Sequence, residues 1–208
     1  HVLETPLQPV PESIRFSQQE TTKNEVLIAP YNAQQIYLGM YSNQEELYNT
    51  EIEPARSLYN EYFGGGMNYI VFQEMRESRG LAYSAWAGLS APSKLKYPYT
   101  LRAQIATQND KMMDAIDAFY EIIENMPLSE SAFTLAKEGI LARIRTNRII
   151  KSDVIWNYLN AEELGIKEDK RKVIFNEIQK MTLQDVLQFH DEWIKNRKYT
   201  YFILGNKK

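Results

Sequence analysis

The chain of 208 residues contains no cysteine and only two histidines, His1 and His190. Without cysteine it has no disulfide, no thiolate metal ligand and no thiol nucleophile. Val186 and Ile194 stand four positions before and after His190, so neither HExxH nor the inverse motif HxxEH occurs. We therefore expect no metal and no cofactor to be bound by this chain alone, and the sequence favours His190 as a surface or helix-cap histidine.

A concentrated basic surface and a long apolar segment are also missing. The chain has 24 Lys and Arg against 27 Asp and Glu, giving a formal net charge of −3, and the basic residues are scattered. Because nucleic-acid binding normally needs clustered positive charge, we expect no nucleic-acid partner. No apolar run approaches the roughly 20 residues of a membrane-spanning helix, so we expect no membrane span.

Two further functional patterns find little support. No serine lies in a Gly-x-Ser-x-Gly elbow, and a Ser/His/Asp triad would have to use His190 or the terminal His1. The triple glycine at positions 64–66 is followed by neither Lys-Ser nor Lys-Thr, and it follows a helical pattern rather than a strand. It is better explained as a break between two helices than as a phosphate-binding loop.

The length and the apolar content of 44% predict one domain with one core. Residues 1–22 begin with a stretch that holds three prolines and little periodicity, which predicts an irregular or linker-like segment. Residues 23–208 then form the single domain. Since the first residue is His1 rather than methionine, we expect this chain to be a fragment of a longer one.

Apolar residues that alternate with a period of two predict five strands. The predicted strands are Glu25–Ala29, Gln35–Tyr41, Leu81–Leu89, Tyr99–Thr107 and Lys198–Leu204. A polar loop between the third and fourth strands indicates that these two pair antiparallel. We expect the last four of these strands to share one mainly antiparallel sheet.

A period of 3.6 predicts two helices around the triple glycine and a run of helices from Asp110 onward. Pro54 stands in the first turn of one helix, and Gly80 provides a left-handed stop after another. Ser129 and Thr182 are predicted N-caps of later helices. Later helices are predicted at Ser152–Leu164 and Lys170–Met181. Segregated runs of strands and helices predict an α+β fold in which helices pack on one face of the sheet.

The segment Tyr62–Gly88 carries the strongest functional pattern. It contains Arg76 near the predicted end of a helix and Tyr83 in the following strand, on either side of a glycine stop. This arrangement can bring a fixed cation and a phenol to one surface. The structural alternative is that Arg76 pairs with Glu74 or Glu77 and that the Tyr83 ring packs into the sheet.

This segment, GGGMNYIVFQEMRESRGLAYSAWAG, resembles the signature of the non-catalytic homologous domain of the pitrilysin/insulinase family of zinc metallopeptidases. The segments AQQIYLGMYS, LAKEGIL, MTLQDVLQF and YTYFILGN follow in the order typical of the family. The resemblance therefore covers nearly the whole chain from about Lys23. It implies the LuxS/processing-peptidase-like metallohydrolase fold.

The resemblance also implies a function in proteolysis. The non-catalytic half encloses a peptide substrate over a zinc site that is carried by another domain or subunit. Arg76 would hold backbone carbonyls of the peptide, and Tyr83 would donate a hydrogen bond to the substrate or to the oxyanion at the scissile carbonyl. The partners implied are a peptide and a zinc-bearing homologous domain, and the chain alone is expected to be inactive.

The sequence departs from the family pattern at one turn, and it leaves one alternative function open. Asn68, Tyr69 and Ile70 stand where many members have two serines and an arginine, so no substrate contact is carried over to that turn. The alternative function is that of a structural core-protein homologue that has lost peptidase activity. The sequence does not specify the compartment; the bacterial periplasm or cell envelope is the expectation from the resemblance.

Overall fold

The computed structural model describes residues 18–205 apart from residues 33 and 65. Five strands form one sheet with the spatial order β1-β5-β2-β4-β3. They are β1 (Glu25–Pro30), β2 (Ile36–Ser42), β3 (Ser84–Ser90), β4 (Thr100–Thr107) and β5 (Thr200–Gly205). Only β1 and β5 pair in parallel, and the other three pairings are antiparallel. The predicted mainly antiparallel sheet is confirmed, with strand boundaries shifted by up to three residues.

Seven helices accompany the sheet in the described part of the chain. They are α1 (Glu53–Phe63), α2 (Ile70–Phe72, continued by a π-helix at Gln73–Ser78), α3 (Met112–Glu124), α4 (Glu130–Thr146), α5 (Lys151–Glu163), α6 (Lys170–Lys180) and α7 (Leu183–Trp193). None of the helices described is long and apolar enough to cross a membrane. Of the predicted irregular segment 1–22, residues 1–17 lie outside the described residues.

One face of the sheet is buried under the helices, and the other is open. Along β2, Ile36, Leu38 and Met40 are buried, whereas the intervening Tyr37 and Tyr41 remain partly exposed. This alternation follows from the period of two, which sends successive side chains to opposite faces. The predicted α+β fold with helices on one face is therefore confirmed.

Helix α1 lies at the centre of the helical layer. Its four large apolar side chains are almost fully buried: Leu58, Tyr59, Tyr62 and Phe63. The helix contacts β3, α4, α6 and α7, so it joins the sheet to the outer helices. The helix starts where the sequence predicts. Pro54 stands in its first turn, where the missing N–H costs no hydrogen bond.

The predicted caps of α4 and α7 are present. The Ser129 side chain accepts a hydrogen bond from the Ala132 amide at 3.2 Å. Thr182 and Asp185 form a reciprocal capping box at the start of α7. Both caps satisfy amides that have no partner inside the helix, which explains why the helices begin where the sequence predicts.

The prediction for the helix after the triple glycine is only partly correct. The helix begins only at Ile70, and Met67, which follows the triple glycine directly, is exposed and lies outside it. The α-helical part lasts three residues before the wider π-helix takes over. Before the helix the Tyr69 amide donates to the carbonyl oxygen of Gly66 at 3.3 Å, which closes a turn, and a Cβ atom on Gly66 would lie 2.8 Å from the Tyr69 ring.

The interpretation of His190 as a surface or cap histidine is wrong, because its ring is 0% exposed. Its Nε2 lies 2.6 Å from the carbonyl oxygen of Ile123, and its Nδ1 lies 3.1 Å from the hydroxyl of Tyr59. A carbonyl oxygen only accepts, so Nε2 carries the proton and Nδ1 accepts from Tyr59. Both nitrogens of this neutral ring are satisfied in the core, which leaves His190 neither a metal ligand nor a triad base.

We expect the stability of this chain to fall as the pH drops from 7.5 to 5.5. Burial lowers the pKa of His190 below its ordinary value of 6.5, which the unfolded chain regains. The unfolded state therefore binds more protons below pH 6.5, and the free energy of unfolding falls with a slope of up to about 1.4 kcal/mol per pH unit. Urea unfolding across this range measures the slope.

His190→Gln provides the control for this pH dependence. The glutamine amide can donate to Ile123 and accept from Tyr59 but does not titrate. We expect the variant to be less stable at pH 7.5 and to lose the slope between pH 7.5 and 5.5. An unchanged slope in His190→Gln would contradict the assignment.

Candidate functional site

The first part of the candidate site is the glycine turn that joins α1 to α2. The amide of Ala87 in β3 donates to the carbonyl oxygen of Gly64 at 3.0 Å. A Cβ atom on Gly64 would lie 1.7 Å from the Ala87 carbonyl oxygen. Only glycine therefore fits, and the turn is fixed directly against the edge of the sheet.

Tyr69 ties the same turn to two helices. Its hydroxyl donates to the carboxylate of Glu61 on α1, and that carboxylate also accepts from the Arg143 guanidinium on α4. Burial raises the pKa of Tyr69 to about 12, and the Glu61 carboxylate acts in the same direction. The phenol therefore remains a donor, and Tyr69 has a structural partner in this chain.

The second part is the π-helix and the turn that follows it. The carbonyl oxygen of Met75, a fully buried residue, accepts from the amides of Leu81 and Ala82 at 2.9 and 3.1 Å. Gly80 has a φ of +59°, as the predicted left-handed stop requires. These bonds turn the chain sharply from the π-helix into β3. The turn places Arg76 before it and Tyr83 directly before the first residue of the strand.

Arg76 projects from the π-helix, and its side chain is 49% exposed. Its guanidinium lies 5.0 Å from the centre of the Phe72 ring, and its Nε lies 3.7 Å from the Glu77 carboxylate. The second distance is too long for a hydrogen bond. Within the described residues the Arg76 guanidinium makes no hydrogen bond, so its donors are available to a ligand.

Arg79, three residues after Arg76, differs from it because its guanidinium has a fixed partner. Its Nη1 lies 2.6 Å from the carboxylate of Glu121 on α3. This hydrogen bond lowers the pKa of Glu121 below its ordinary value and raises that of Arg79. Arg79 therefore fastens the π-helix to α3, whereas Arg76 has no comparable fixed partner.

Tyr83 stands at the other side of the turn and is 48% exposed. Its backbone amide donates to the Ala106 carbonyl oxygen at 2.8 Å, which fixes it beside β4. Its hydroxyl oxygen accepts from Nε2 of Gln108 at 2.7 Å. Because the contact with Gln108 uses a lone pair, the hydroxyl proton remains free to be donated.

These contacts bear on the structural alternative for both residues. The Tyr83 ring does not pack into the sheet core, since about half of the residue is exposed. Arg76 does approach Glu77, as that alternative expects, but Glu74 lies near Arg79 instead. Within the described residues no hydrogen bond joins Arg76 to Tyr83. Their roles in substrate binding stay predictions.

A shallow hollow of about 60 Å³ lies beside Tyr83. It is lined by Gly80, Leu81, Ala82, Tyr83, Thr107, Gln108 and Lys111. Lys111 donates to the carbonyl oxygen of Gly80 at 3.1 Å and so holds the turn against the start of α3. The sequence gives no signal for Gln108 or Lys111, because both reach the turn only through the pairing of β3 with β4.

The described residues contain no group of three or more His, Cys, Asp or Glu side chains that is placed to hold a metal ion. His190 is committed to Ile123 and Tyr59. The residues that the structure describes therefore do not fit a zinc site. The exposed groups around Gly80 can bind and orient a ligand, chiefly by hydrogen bonds to acceptors.

The described residues form an α+β domain with an open, mainly antiparallel sheet, helices on one face, and an arginine and a tyrosine on either side of a helix-to-strand turn. Residues 3–140 match the family model of the peptidase M16 inactive domain. The chain belongs to this family, which confirms the predicted non-catalytic domain of the pitrilysin type. No curated protein matches the chain.

Solved structures show the same fold. A peptidase M16 inactive domain from Pseudomonas fluorescens superposes with a TM-score of 0.73 at 18% identity, over 95% of this chain and 47% of that one. A protease from Helicobacter pylori gives 0.72 at 12% identity, over 95% and 49%. The periplasmic protease PqqL from Escherichia coli gives 0.66 at 13% identity, over 89% and 21%. The chain thus spans about half of the first two and about a fifth of PqqL.

Proposed function

We propose that this chain is the non-catalytic half of a zinc peptidase and that it encloses a peptide over a zinc site carried by another domain or subunit. The observation that carries the proposal is the pair of available donors around Gly80. Tyr83 keeps its hydroxyl proton free, and the Arg76 guanidinium makes no hydrogen bond within the described residues. Membership in the peptidase M16 inactive domain family supports the same assignment.

Tyr83 is suited to stabilise negative charge on a carbonyl oxygen. The backbone hydrogen bond from Tyr83 to Ala106 fixes the position of the residue, and the hydrogen bond from Gln108 orients its hydroxyl. A donor that is already oriented needs little reorganisation when charge develops on the substrate, and such donors contribute strongly to acyl-transfer reactions. Tyr83 would act on the peptide, while zinc in the partner would supply the metal chemistry.

Arg76 is suited to hold the peptide backbone. Its guanidinium is a planar fork of five N–H donors, and carbonyl oxygens of an extended peptide are acceptors that match it. The Phe72 ring beneath the guanidinium supports its position by a cation–π contact. Arg76 therefore contributes binding and orientation rather than chemistry.

A second candidate function is that of a structural homologue without peptidase activity. The contacts of Tyr69 favour it. In many relatives this turn carries serines and an arginine, whereas here Tyr69 bonds to Glu61, which also binds Arg143. This observation concerns one turn only, whereas both Arg76 and Tyr83 keep available donors. We therefore rank the peptidase half first.

We also propose that the complete protein works in the bacterial periplasm or cell envelope. The support is the shared fold with PqqL, which is a periplasmic protease. Whether the zinc-bearing part is in the same polypeptide or in a second subunit does not change the role of Arg76 and Tyr83.

Zinc analysis and peptide hydrolysis of the complete protein test the proposed function. We expect about one zinc per zinc-bearing domain and hydrolysis that a chelator abolishes. This chain alone should show neither stoichiometric zinc nor hydrolysis. A complete protein that contains a homologous domain but neither binds zinc nor cleaves peptides would favour the structural homologue.

A further inference from the structure

Helix α5 exposes its apolar side chains instead of burying them. Trp156 is 66% exposed and Ile155 is 59% exposed. We call the exposed apolar residues of α5 and the two before it the α5 surface: Ile149, Ile150, Val154, Ile155, Trp156, Tyr158 and Leu159. None of the α5 side chains described is buried, in contrast to α7, which buries Val186 and Phe189.

Cavities separate α5 from the rest of the domain. One of about 710 Å³ lies between α5 and α6 and is lined by Asn157, Asn160 and Ile174 among others. Another of about 570 Å³ lies between α5 and the β3–β4 loop. An ion pair between Lys94 of that loop and Glu163 holds the end of the helix at 2.8 Å. Val154 and Tyr158 of α5 also line the first cavity, and Trp156 and Leu159 line the second. These apolar side chains nevertheless stay exposed, because α5 does not pack tightly against the rest of the domain.

Such a helix needs a partner. A helix of 13 residues is marginal in water unless an apolar face packs against another element. Large contiguous apolar patches on a protein surface mark sites of interaction, and Trp and Tyr are enriched among the residues that dominate binding energy. The α5 surface contains one of each.

We propose that the α5 surface is the docking surface for the homologous domain that completes the protein, an assignment that rests on the proposed function. The relatives from Pseudomonas fluorescens and Helicobacter pylori are about twice as long as the part this chain matches, so a further length similar to this chain accompanies the shared fold. The docked face of that domain is apolar. An acidic rim would complement Arg148 and Lys151, which are exposed beside the surface.

The α5 surface lies away from the candidate site. Strand β3 begins directly after Tyr83, and the loop beyond its other end contains Lys94, which contacts α5. A strand of seven residues spans about 20 Å at roughly 3.3 Å per residue. Docking at α5 therefore leaves the Gly80 turn free to face a substrate, and changes on α5 do not touch Arg76 or Tyr83.

Photo-crosslinking of the complete protein tests this assignment. Trp156→p-benzoylphenylalanine is irradiated, and the crosslinked peptides are identified by mass spectrometry. We expect crosslinks to the homologous domain. Crosslinks only to a second copy of this chain, only within this chain, or none at all would overturn the assignment.

Activity measurements separate this proposal from the proposed function. Trp156→Asp should lower peptide hydrolysis at least about 10-fold by weakening docking, while the matched exposed variant Met113→Asp on α3 should retain it. Full hydrolysis by Trp156→Asp would count against the docking surface. If crosslinks to the homologous domain form but Tyr83→Phe leaves hydrolysis unchanged, the docking surface stands and the proposed role of the Gly80 turn fails.

Discussion

Tyr83→Phe in the complete protein is expected to reduce kcat for peptide hydrolysis by about 10²–10³-fold, the range observed when one oxyanion donor is removed. The change deletes one hydroxyl and keeps the ring. It loses the Gln108 contact and the free proton but leaves the Ala106 backbone bond in place. The fold and the zinc content should therefore be unchanged. Steady-state kinetics with a defined peptide measures the effect.

Two further variants show whether this loss belongs to the site. Tyr31→Phe removes a hydroxyl from another exposed tyrosine and should leave kcat unaltered. Arg76→Ala should mainly raise KM, because the fork that holds the backbone is lost, and Arg76→Lys should restore it only partly. If Tyr83→Phe and Arg76→Ala both kept the parent kcat/KM, the two residues would be structural.

Gly64→Ala is expected to destabilise this chain by at least about 3 kcal/mol, at the upper end of the range for forcing extra volume into a packed site. The new Cβ would lie 1.7 Å from the Ala87 carbonyl oxygen and 2.5 Å from its carbonyl carbon. Both are backbone atoms of β3, so relief requires α1 and the sheet edge to separate. Urea unfolding measures the loss.

Gly39→Ala is the matched control for that substitution. A Cβ on Gly39 would lie 3.6 Å from the nearest atom of Phe202, an ordinary contact distance. Because glycine inside a strand is less favourable than alanine by roughly 0.5–1 kcal/mol, this variant should be neutral or slightly more stable. Equal losses in the two variants would show that the close approach of Gly64 is not the cause.

The parts of the fold that depend on interactions between neighbouring residues were predictable from the sequence. Alternation along β2 identified the strand, and the Thr182 capping box located the start of α7. The left-handed turn at Gly80 followed from its glycine. In each case the relevant residues are neighbours in the chain, so their pattern is visible without tertiary structure.

Features set by distant partners were not predictable in this way. His190 is buried because Tyr59 and Ile123, 131 and 67 residues away, satisfy its ring. The π-helix arises where the chain must return from α2 to β3, and a period of 3.6 does not distinguish it from an α-helix. The pattern of α5 predicted a helix but gave no sign that its apolar residues would lack a partner within the domain.

The candidate site falls between these two cases. Spacing showed only that Arg76 and Tyr83 can reach one surface, and the family resemblance supplied their roles. The structure adds which of their hydrogen-bond donors are available. Gln108 occupies only a lone pair of the Tyr83 hydroxyl, and the ion pair with Glu121 is made by Arg79 rather than by Arg76. Gln108 reaches Tyr83 from 25 residues away through strand pairing.

A crystal structure of the complete protein with a bound peptide, prepared without zinc so that the peptide is not cleaved, tests the central claim most directly. The account predicts that the Tyr83 hydroxyl and the Arg76 guanidinium lie about 3 Å from carbonyl oxygens of the peptide, within hydrogen-bond distance. A structure in which the peptide binds elsewhere, or in which another domain covers the Gly80 turn and takes up both donors, would contradict it.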